Sequence, residues 1–222
     1  MIFKKLFREI FRKNLTKKFS SSSDYWENRY FWGGNSGVGS YGNDATYKAD
    51  ILNQVIDQYN IDTIIDLGCG DGNNLQLYKI KNYFGFDISL TAIKNNIKKY
   101  SDHKNKKFYV INDNFKNILE NIRNSDQVFK TIVLSFDVIL HLVEDEIYFN
   151  HLKTFESTIS DYLLVVSSDE DKEYNNFTPH VKHRNYSKDL EKKGWQLLFS
   201  KEILNDRDSR SIKLFKISKP DI

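Results

Sequence analysis

Short apolar runs alternate with stretches whose apolar residues recur at helical spacing, and this alternation extends over most of the chain. The apolar runs predict strands at residues 63–67, 83–87, 107–111, 131–136 and 162–167, with two more near 195–200 and 211–217. The helical spacing predicts helices over residues 50–59, 74–79, 90–100, 115–122, 145–160 and 187–193. Strands that alternate with helices form a mostly parallel sheet with helices on both faces. The pattern therefore predicts a Rossmann-like α/β sandwich.

The first 23 residues follow a different pattern. Residues 1–19 carry apolar side chains at helical spacing with basic residues between them, which predicts a basic amphipathic helix. Residues 20–23 are all serine and form a polar break, in which Ser22 or Ser23 is a candidate N-cap for the next helix. We therefore divide the chain into an N-terminal segment, 1–23, and a folded domain, 24–222. The basic helix has two alternative roles: peripheral contact with an anionic membrane surface, or docking on its own domain or on a partner.

The chain has 222 residues, with 33 lysines and arginines against 30 acidic residues, and a formal charge of +3. Residues 1–19 hold seven basic residues and one acid, so the remainder carries a charge of −3 and has no electrostatic reason to bind nucleic acid. No apolar stretch approaches the roughly 18 residues that a membrane-spanning helix needs, which excludes a transmembrane protein. The single cysteine, Cys69, excludes an intramolecular disulfide and a cysteine-rich metal site, and it favours a reducing cytoplasm.

The strongest motif follows the first predicted strand. The strand at residues 63–67 ends in a turn, residues 68–72, in which every second residue is glycine. Glycines at the end of a buried strand allow a tight turn and a close approach of the backbone to a ligand. Asp87 ends the next strand 21 positions after Asp66, where an acid can reach ribose hydroxyls. A nicotinamide enzyme is the second choice, because the dinucleotide fingerprint needs a glycine where Asn73 stands.

The sequence Asp-Leu-Gly-Cys-Gly-Asp-Gly at residues 66–72, followed by Gly-Phe-Asp-Ile-Ser at 85–89, resembles the class I S-adenosylmethionine-dependent methyltransferases. The resemblance implies that fold and S-adenosylmethionine as the cofactor. The cofactor-binding residues that it implies are Asp66, Gly68, Cys69, Gly70, Asp87, Ile88, Asp113, Phe136 and Asp137.

The same resemblance assigns a part of the cofactor to several of these residues. Asp66 would reach the amino acid part, Asp87 the ribose hydroxyls and Ile88 the adenine. Asp113 would lie near the adenine amine, with a helix-capping turn as the alternative. Asp137 would lie beside the transferring methyl group.

Four further stretches, at residues 25–30, 33–42, 136–145 and 180–184, are similar to a bacterial methyltransferase subfamily associated with cell-surface glycan modification. The similarity implies O-methylation of a glycan sugar, or of its phosphate-bearing or nucleotide-activated precursor, in the cytoplasm. The alternatives are a methyltransferase acting on nucleic acid or protein, and a non-catalytic cofactor-binding scaffold. Against nucleic acid, the fourth strand lacks a following Asn/Asp-Pro-Pro-aromatic motif, and no basic patch with interleaved aromatic residues is apparent outside the N-terminal segment.

Half of the ten glycines fall in residues 33–42, which we call the glycine-rich loop. Its exposed amides and hydroxyls suit a segment that folds over a ligand, and the alternative is a flexible linker. We expect Ser40 and Tyr41 to contact the acceptor. We also expect Arg29 to close over the cofactor's methionine carboxylate, because a guanidinium matches a carboxylate in a two-pronged contact.

A hydroxyl acceptor needs a proton acceptor, and histidine suits that role near neutral pH. His141 and His180 are the candidate bases, and His183 completes the set of candidate catalytic histidines. His183, Lys182 and Arg184 are candidate ligands for an anionic or sugar acceptor. The other two histidines, His103 and His151, are expected at the surface.

Two runs of acidic residues, 144–146 and 169–171, raise the question of a divalent metal. Consecutive acids on a helix or loop cannot all converge on one ion, so we predict no metal site. Asp145 is instead a candidate N-cap for the helix that follows it.

Overall fold

A computed structural model of the protein describes residues 19–112, 114–123, 130–158, 160–173, 178–203 and 208–217. The predicted basic helix and Asp113 lie outside these ranges. The helices are α1 (Ser22–Phe31), α2 (Gly42–Tyr59), α3 (Leu90–Lys99), α4 (Phe115–Arg123), α5 (Asp145–Ser157) and α6 (Tyr186–Lys192). The strands are β1 (Thr63–Leu67), β2 (Asn82–Asp87), β3 (Lys106–Val110), β4 (Thr131–Phe136), β5 (Tyr162–Ser168), β6 (Trp195–Glu202) and β7 (Arg210–Ile217).

The strands form one sheet in the order β3-β2-β1-β4-β5-β7-β6. Strands β1 to β5 are parallel, and β7 is antiparallel to both β5 and β6. Neighbouring residues of β1 belong to different cores: Ile64 packs in the cluster that includes Leu52, and Ile65 in the cluster that includes Phe155. Because side chains alternate across a strand, both faces of the sheet are covered. The predicted Rossmann-like sandwich is confirmed.

The prediction of a helix over residues 74–79, after the glycine turn, is wrong. Residues Asn74–Leu77 form a single 3₁₀ turn, and Tyr78 is already extended. Only Leu75 of this turn is buried, so too little apolar surface is available to stabilise a longer helix.

Three helix ends also differ from prediction. Helix α2 begins at Gly42 rather than at residue 50, and α5 ends at Ser157 rather than at 160. The N-cap of α1 is Ser21, whose side chain accepts from the Asp24 amide. The start of α1 is fixed by a side-chain cap that several neighbouring serines could offer, whereas the start of α2 has no such cap.

Among the described residues, no helix is long and apolar enough to cross a membrane.

Candidate functional site

A cavity of about 200 Å³ lies at the carboxyl edge of the sheet. Its floor is formed by the ends of β1, β2 and β4, which we define as residues 66–70, 87–88 and 136–138. Its roof is formed by residues 22–42, which comprise α1 and the glycine-rich loop and contribute Trp26, Tyr30, Ser36 and Ser40 to the lining. In open α/β sheets this edge is where ligands bind.

Two glycines of the floor have left-handed backbones and leave no room for a side chain. A Cβ on Gly68 (φ +94°) would lie 2.3 Å from a methyl carbon of Val138. A Cβ on Gly70 (φ +54°) would lie 2.3 Å from Ser36 Oγ and 2.9 Å from the Tyr30 hydroxyl. Protein side chains therefore already occupy the space beside these glycines, and the lack of a Cβ lets Val138, Ser36 and Tyr30 pack against the turn.

Asp66 lines the cavity, and one of its two carboxylate oxygens accepts a hydrogen bond from the protein. Its Oδ2 accepts a hydrogen bond from the Tyr83 hydroxyl at 2.6 Å. Its Oδ1 is buried and has no hydrogen-bond partner among the described residues. Burial raises the pKa of Asp66 to about 7. The free oxygen is an acceptor site for a donor that enters the cavity.

Asp87 is held by the backbone on both sides. Its Oδ2 accepts from the Gly70 amide at 2.9 Å, and its Oδ1 accepts from the Ser89 amide at 2.8 Å. Burial raises the pKa of Asp87 to about 6. Each oxygen keeps a further lone pair, so the carboxylate can still accept from hydroxyls of a ligand. Ile88 lines the cavity next to it, and its predicted contact with the adenine stays a prediction.

Asp137 anchors a buried ionic cluster that the sequence did not reveal. Its backbone is left-handed (φ +58°). Lys48 from α2 donates to Oδ2 at 2.5 Å, and Arg210 from β7 donates to Oδ1 at 2.7 Å and to Asp44 at 3.0 Å. Burial alone would raise the pKa of Asp137, but the two cations lower it below its ordinary value. Asp137 is therefore a fixed carboxylate at the cavity wall, next to Phe136.

Helix α1 is held over the cavity at two points. Near its start, the Ser22 amide donates to Glu144 Oε1 at 2.8 Å. Further along, Glu27 accepts from the Ser89 hydroxyl at 2.6 Å and from the Thr91 hydroxyl at 2.5 Å, both at the beginning of α3. The helix thus bridges the β4 side of the cavity and the β2 side.

The glycine-rich loop is hydrogen-bonded to the glycine turn. Asp71 Oδ2 accepts from the Ser36 amide at 2.9 Å and from the Tyr41 hydroxyl at 2.7 Å. The Asn73 side chain donates to the Ser40 carbonyl at 2.7 Å. Of the two predicted acceptor contacts, Ser40 lines the cavity and Tyr41 does not. The loop is therefore a cover attached to the floor.

Arg29 supports this cover from outside the cavity lining. Its Nε donates to the Asn35 carbonyl at 2.5 Å, and its Nη1 donates to the Tyr25 hydroxyl at 3.1 Å. The predicted contact with a cofactor carboxylate stays a prediction, and the observed contacts give Arg29 a role in fixing the loop.

His141 is the only one of the three candidate catalytic histidines that lines the cavity. Its Nδ1 lies 2.9 Å from the His180 carbonyl oxygen. A carbonyl can only accept, so Nδ1 carries the proton in the neutral ring and Nε2 carries the lone pair. Burial lowers the pKa of His141 to about 4, and the ring packs edge-on against Trp26 with centroids 5.0 Å apart.

His180 and His183 lie outside the cavity lining. The His180 ring stacks on Tyr25 at 4.5 Å, and burial lowers its pKa. His183 Nδ1 lies 2.7 Å from Ser168 Oγ. The backbone carbonyl of His180 thus orients the His141 ring, and a role of the His180 side chain as a base stays a prediction.

The two basic residues proposed as acceptor ligands bind the protein itself. Lys182 donates to Asp145 at 2.6 Å, and the buried Arg184 donates to Asp145 at 2.7 Å and to the Leu142 carbonyl at 2.6 Å. The two cations hold the pKa of Asp145 near 2. Neither Lys182 nor Arg184 lines the cavity.

The prediction that Asp145 is the N-cap of α5 is wrong. The N-cap is Glu144, and the Asp145 carboxylate binds Lys182 and Arg184 instead.

The prediction that His151 lies at the surface is also wrong. His151 belongs to α5 and lines the cavity, where its Nε2 lies 2.9 Å from Ser135 Oγ. Burial lowers its pKa to about 4. The signal lay in its spacing, because it follows Tyr148 by three residues and precedes Phe155 by four, and both of these are fully buried.

No group of three or more histidine, cysteine or acidic side chains in the described ranges could hold a metal ion.

The strand order, the glycine turn after β1 and the acid that ends β2 define a Rossmann-like methyltransferase fold. The chain belongs to the family described as methyltransferase domain, whose model matches residues 60–205. No curated protein matches the sequence.

Solved structures of similar fold include several methyltransferases. N-methyltransferase NodS from Bradyrhizobium japonicum WM9, in complex with S-adenosyl-L-homocysteine, covers 90% of this chain and 100% of its own, with 10% identity and a TM-score of 0.66. Magnesium protoporphyrin IX methyltransferase ChlM from Synechocystis PCC 6803, with bound S-adenosylmethionine, covers 97% of both chains at 15% identity and a TM-score of 0.57. PH0226 from Pyrococcus horikoshii OT3 covers 81% of this chain and 96% of its own, at 15% identity and a TM-score of 0.55. At these identities the likeness concerns the fold.

Proposed function

We propose that the protein is an S-adenosylmethionine-dependent O-methyltransferase that acts in the cytoplasm. Its acceptor is a sugar of a bacterial surface glycan, or the phosphate-bearing or nucleotide-activated precursor of that sugar. The observation that carries the proposal is the meeting of Asp66, Asp87 and His141 in one covered cavity at the carboxyl edge of the sheet.

The floor of the cavity fits the cofactor. When bound, S-adenosylmethionine supplies a methyl group on a positively charged sulfur. The unpartnered oxygen of Asp66 can accept from the ammonium of the amino acid part. Asp87 can accept from ribose hydroxyls, while Ile88 offers an apolar surface to the adenine. Asp137, which Lys48 and Arg210 hold in place, forms part of the wall of the same cavity.

His141 is the residue that can take the acceptor's proton. Its Nδ1 is engaged with the His180 carbonyl, so Nε2 is the nitrogen available to a hydroxyl in the cavity. The burial that lowers its pKa keeps the ring neutral, and thus able to accept, at neutral pH. The packing of Trp26 against the ring restricts its orientation, which favours a positioned base.

The side chains of the roof are suited to binding a sugar acceptor. Trp26 and Tyr30 line the cavity and stack on each other with centroids 5.8 Å apart. Such side chains combine apolar faces with a polar atom, which suits a ring that carries both C–H faces and hydroxyls. Ser36 and Ser40 add hydroxyl groups to the same lining.

Calorimetric titration with S-adenosylhomocysteine tests the cofactor part of the proposal. We expect the wild type to bind, and Asp87→Ala to weaken binding by roughly tenfold or more, because charge-assisted hydrogen bonds to the ligand are lost. Wild-type protein that does not bind the ligand would overturn the proposal.

Turnover of the methyl donor over a panel of sugars, sugar phosphates and nucleotide sugars tests the acceptor. His141→Gln should lower kcat by about 10²–10⁴-fold with little change in cofactor affinity. Asn95→Gln is the control, because Asn95 is exposed and does not line the cavity. Turnover with nucleic acid or protein but with no sugar compound would reject the glycan acceptor. Cofactor binding without turnover on any acceptor would indicate a scaffold.

A further inference from the structure

A second cleft lies at the β3 edge of the sheet, where α3 ends and β3 begins. It shares no lining residue with the methyl-transfer cavity. Its walls include His103, Lys104, Lys106 and Lys107, together with the aromatic residue Tyr100. The expectation that basic residues interleave with aromatic residues only in the N-terminal segment is therefore wrong.

The positive charge of this cleft is not neutralised by the protein. None of its lining residues is acidic. Among the described residues, Lys104, Lys106 and Lys107 form no ion pair, whereas some other lysines, such as Lys48 and Lys213, do. Unpaired cations that line a concave surface attract anions, because the field of like charges adds up there.

The lysine ammonium groups of the cleft lie on both faces of the sheet rather than around a single position. Lys106 lies over the Tyr100 ring on one side of the sheet, at 5.1 Å, and Lys107 lies over the Phe84 ring, at 5.9 Å. Neighbouring residues of a strand point to opposite faces, and β3 pairs only with β2, so these two lysines straddle the open edge of the sheet. A ligand with several anionic groups can therefore contact both.

The aromatic rings of the cleft are not open for base stacking. Tyr100 stacks on Phe108 at 5.4 Å, and the ammonium groups of Lys99 and Lys106 cover it at 5.2 and 5.1 Å. Tyr109 stacks on Phe86 at 5.4 Å. Binding of single-stranded nucleic acid relies on aromatic faces that accept bases. The cleft instead offers lysine ammonium groups, which bind phosphate as point charges.

We propose that this cleft is a binding site for the phosphate groups of a polyol phosphate chain that carries no nucleobases. The site is separate from the cavity and does not depend on methyl transfer. It is connected to the glycine turn through Tyr100, whose hydroxyl donates to the Gly72 carbonyl at 2.7 Å. An anionic chain held there lies beside the segment that forms the floor of the cavity.

Binding of a fluorescent ribitol phosphate oligomer to the full chain, followed by anisotropy, tests the site. The variant Lys104→Gln/Lys106→Gln/Lys107→Gln should bind at least roughly tenfold more weakly than the wild type, with a shallower dependence on salt. The matched control, Lys153→Gln/Lys188→Gln/Lys201→Gln, removes the same charge from three exposed lysines elsewhere and should bind within about twofold of the wild type. The basic N-terminal segment is present in all three proteins.

Equal affinities of the two triple variants would overturn the proposal. A thymidine oligonucleotide that binds the wild type more tightly than the ribitol phosphate oligomer would also overturn it, in favour of nucleic acid. The single variant Lys104→Glu changes only an exposed loop residue, and it should weaken binding in the same direction if the triple variant folds poorly. Unchanged affinity of that variant would count against the site.

Discussion

The floor and the roof of the cavity are built by different physical means. The floor consists of strand ends whose side chains are buried or half-buried and whose positions follow from the sheet. The roof is held by side-chain hydrogen bonds, such as those from Ser89 and Thr91 to Glu27 and from Ser36 and Tyr41 to Asp71. The family model begins at residue 60, so it includes the floor and leaves the roof outside. Changes in the floor should therefore affect folding more strongly than changes in the roof.

The largest expected effect is in the floor, at Asp137. Asp137→Ala leaves Lys48, which is 1% exposed, without its counter-ion, and we expect a loss of about 3–5 kcal/mol in the free energy of unfolding. Chemical denaturation measures it. The double variant Lys48→Met/Asp137→Ala removes the stranded charge and should recover part of the loss. A double variant no more stable than the single one would show that the buried charge is not the cause.

Asp66 gives a second test of the floor, through pH. Burial raises its pKa to about 7, against roughly 4 in an unfolded chain. Its contribution to stability is therefore fully present below pH 4 and is lost as the pH rises to 7. Between these limits the ligand-free wild type should lose up to about 4 kcal/mol relative to Asp66→Asn, which cannot ionise. Denaturation curves of both proteins check this, and a constant difference between them would contradict it.

Arg29 tests the roof. Because its guanidinium fixes the loop through the Asn35 carbonyl, Arg29→Ala should raise the dissociation constant of S-adenosylhomocysteine about tenfold and leave the unfolding midpoint nearly unchanged. Methylthioadenosine, which lacks the carboxylate, should lose affinity by the same factor. A loss confined to S-adenosylhomocysteine would instead show that Arg29 binds the carboxylate directly.

The smallest expected effect is at the tip of the roof. Val38 is 84% exposed, so Val38→Ser should change the free energy of unfolding by less than about 0.5 kcal/mol. Thermal unfolding of the variant beside the wild type measures the change. A larger loss would mean that the loop contributes to folding, and the contrast between roof and floor would fail.

The sequence predicted the floor because periodicity and strand ends determine it. Strands β1 and β4 have the predicted bounds, since both are short, continuous apolar runs with buried faces on each side. The meeting of Asp66 and Asp87 at one edge follows from parallel strands that pair in register. These features depend on the local hydrophobic pattern and on sheet topology, and both can be inferred from one amino-acid sequence.

The sequence predicted a loop that covers the ligand, but not the contacts that hold it, because these contacts join residues that are far apart in the sequence. Asp71 meets Ser36 and Tyr41 only after the chain has folded, and no local spacing indicates that pairing. The cluster around Asp137 has the same origin, because Lys48 and Arg210 come from α2 and from the last strand. The sequence shows which residues are acidic and basic, but it does not show which of them pair in the folded protein.

The place of β7 in the sheet affects the order in which the protein can assemble. β7 follows β6 in the chain but lies between β5 and β6. It also brings Arg210 to Asp137. Because synthesis releases the earlier strands first, the edge of β5 stays open and one oxygen of Asp137 lacks its cation until residues 210–217 emerge from the ribosome. A pause in translation before those residues would expose an unpaired strand edge, so the speed of elongation near β7 bears on how much protein escapes aggregation.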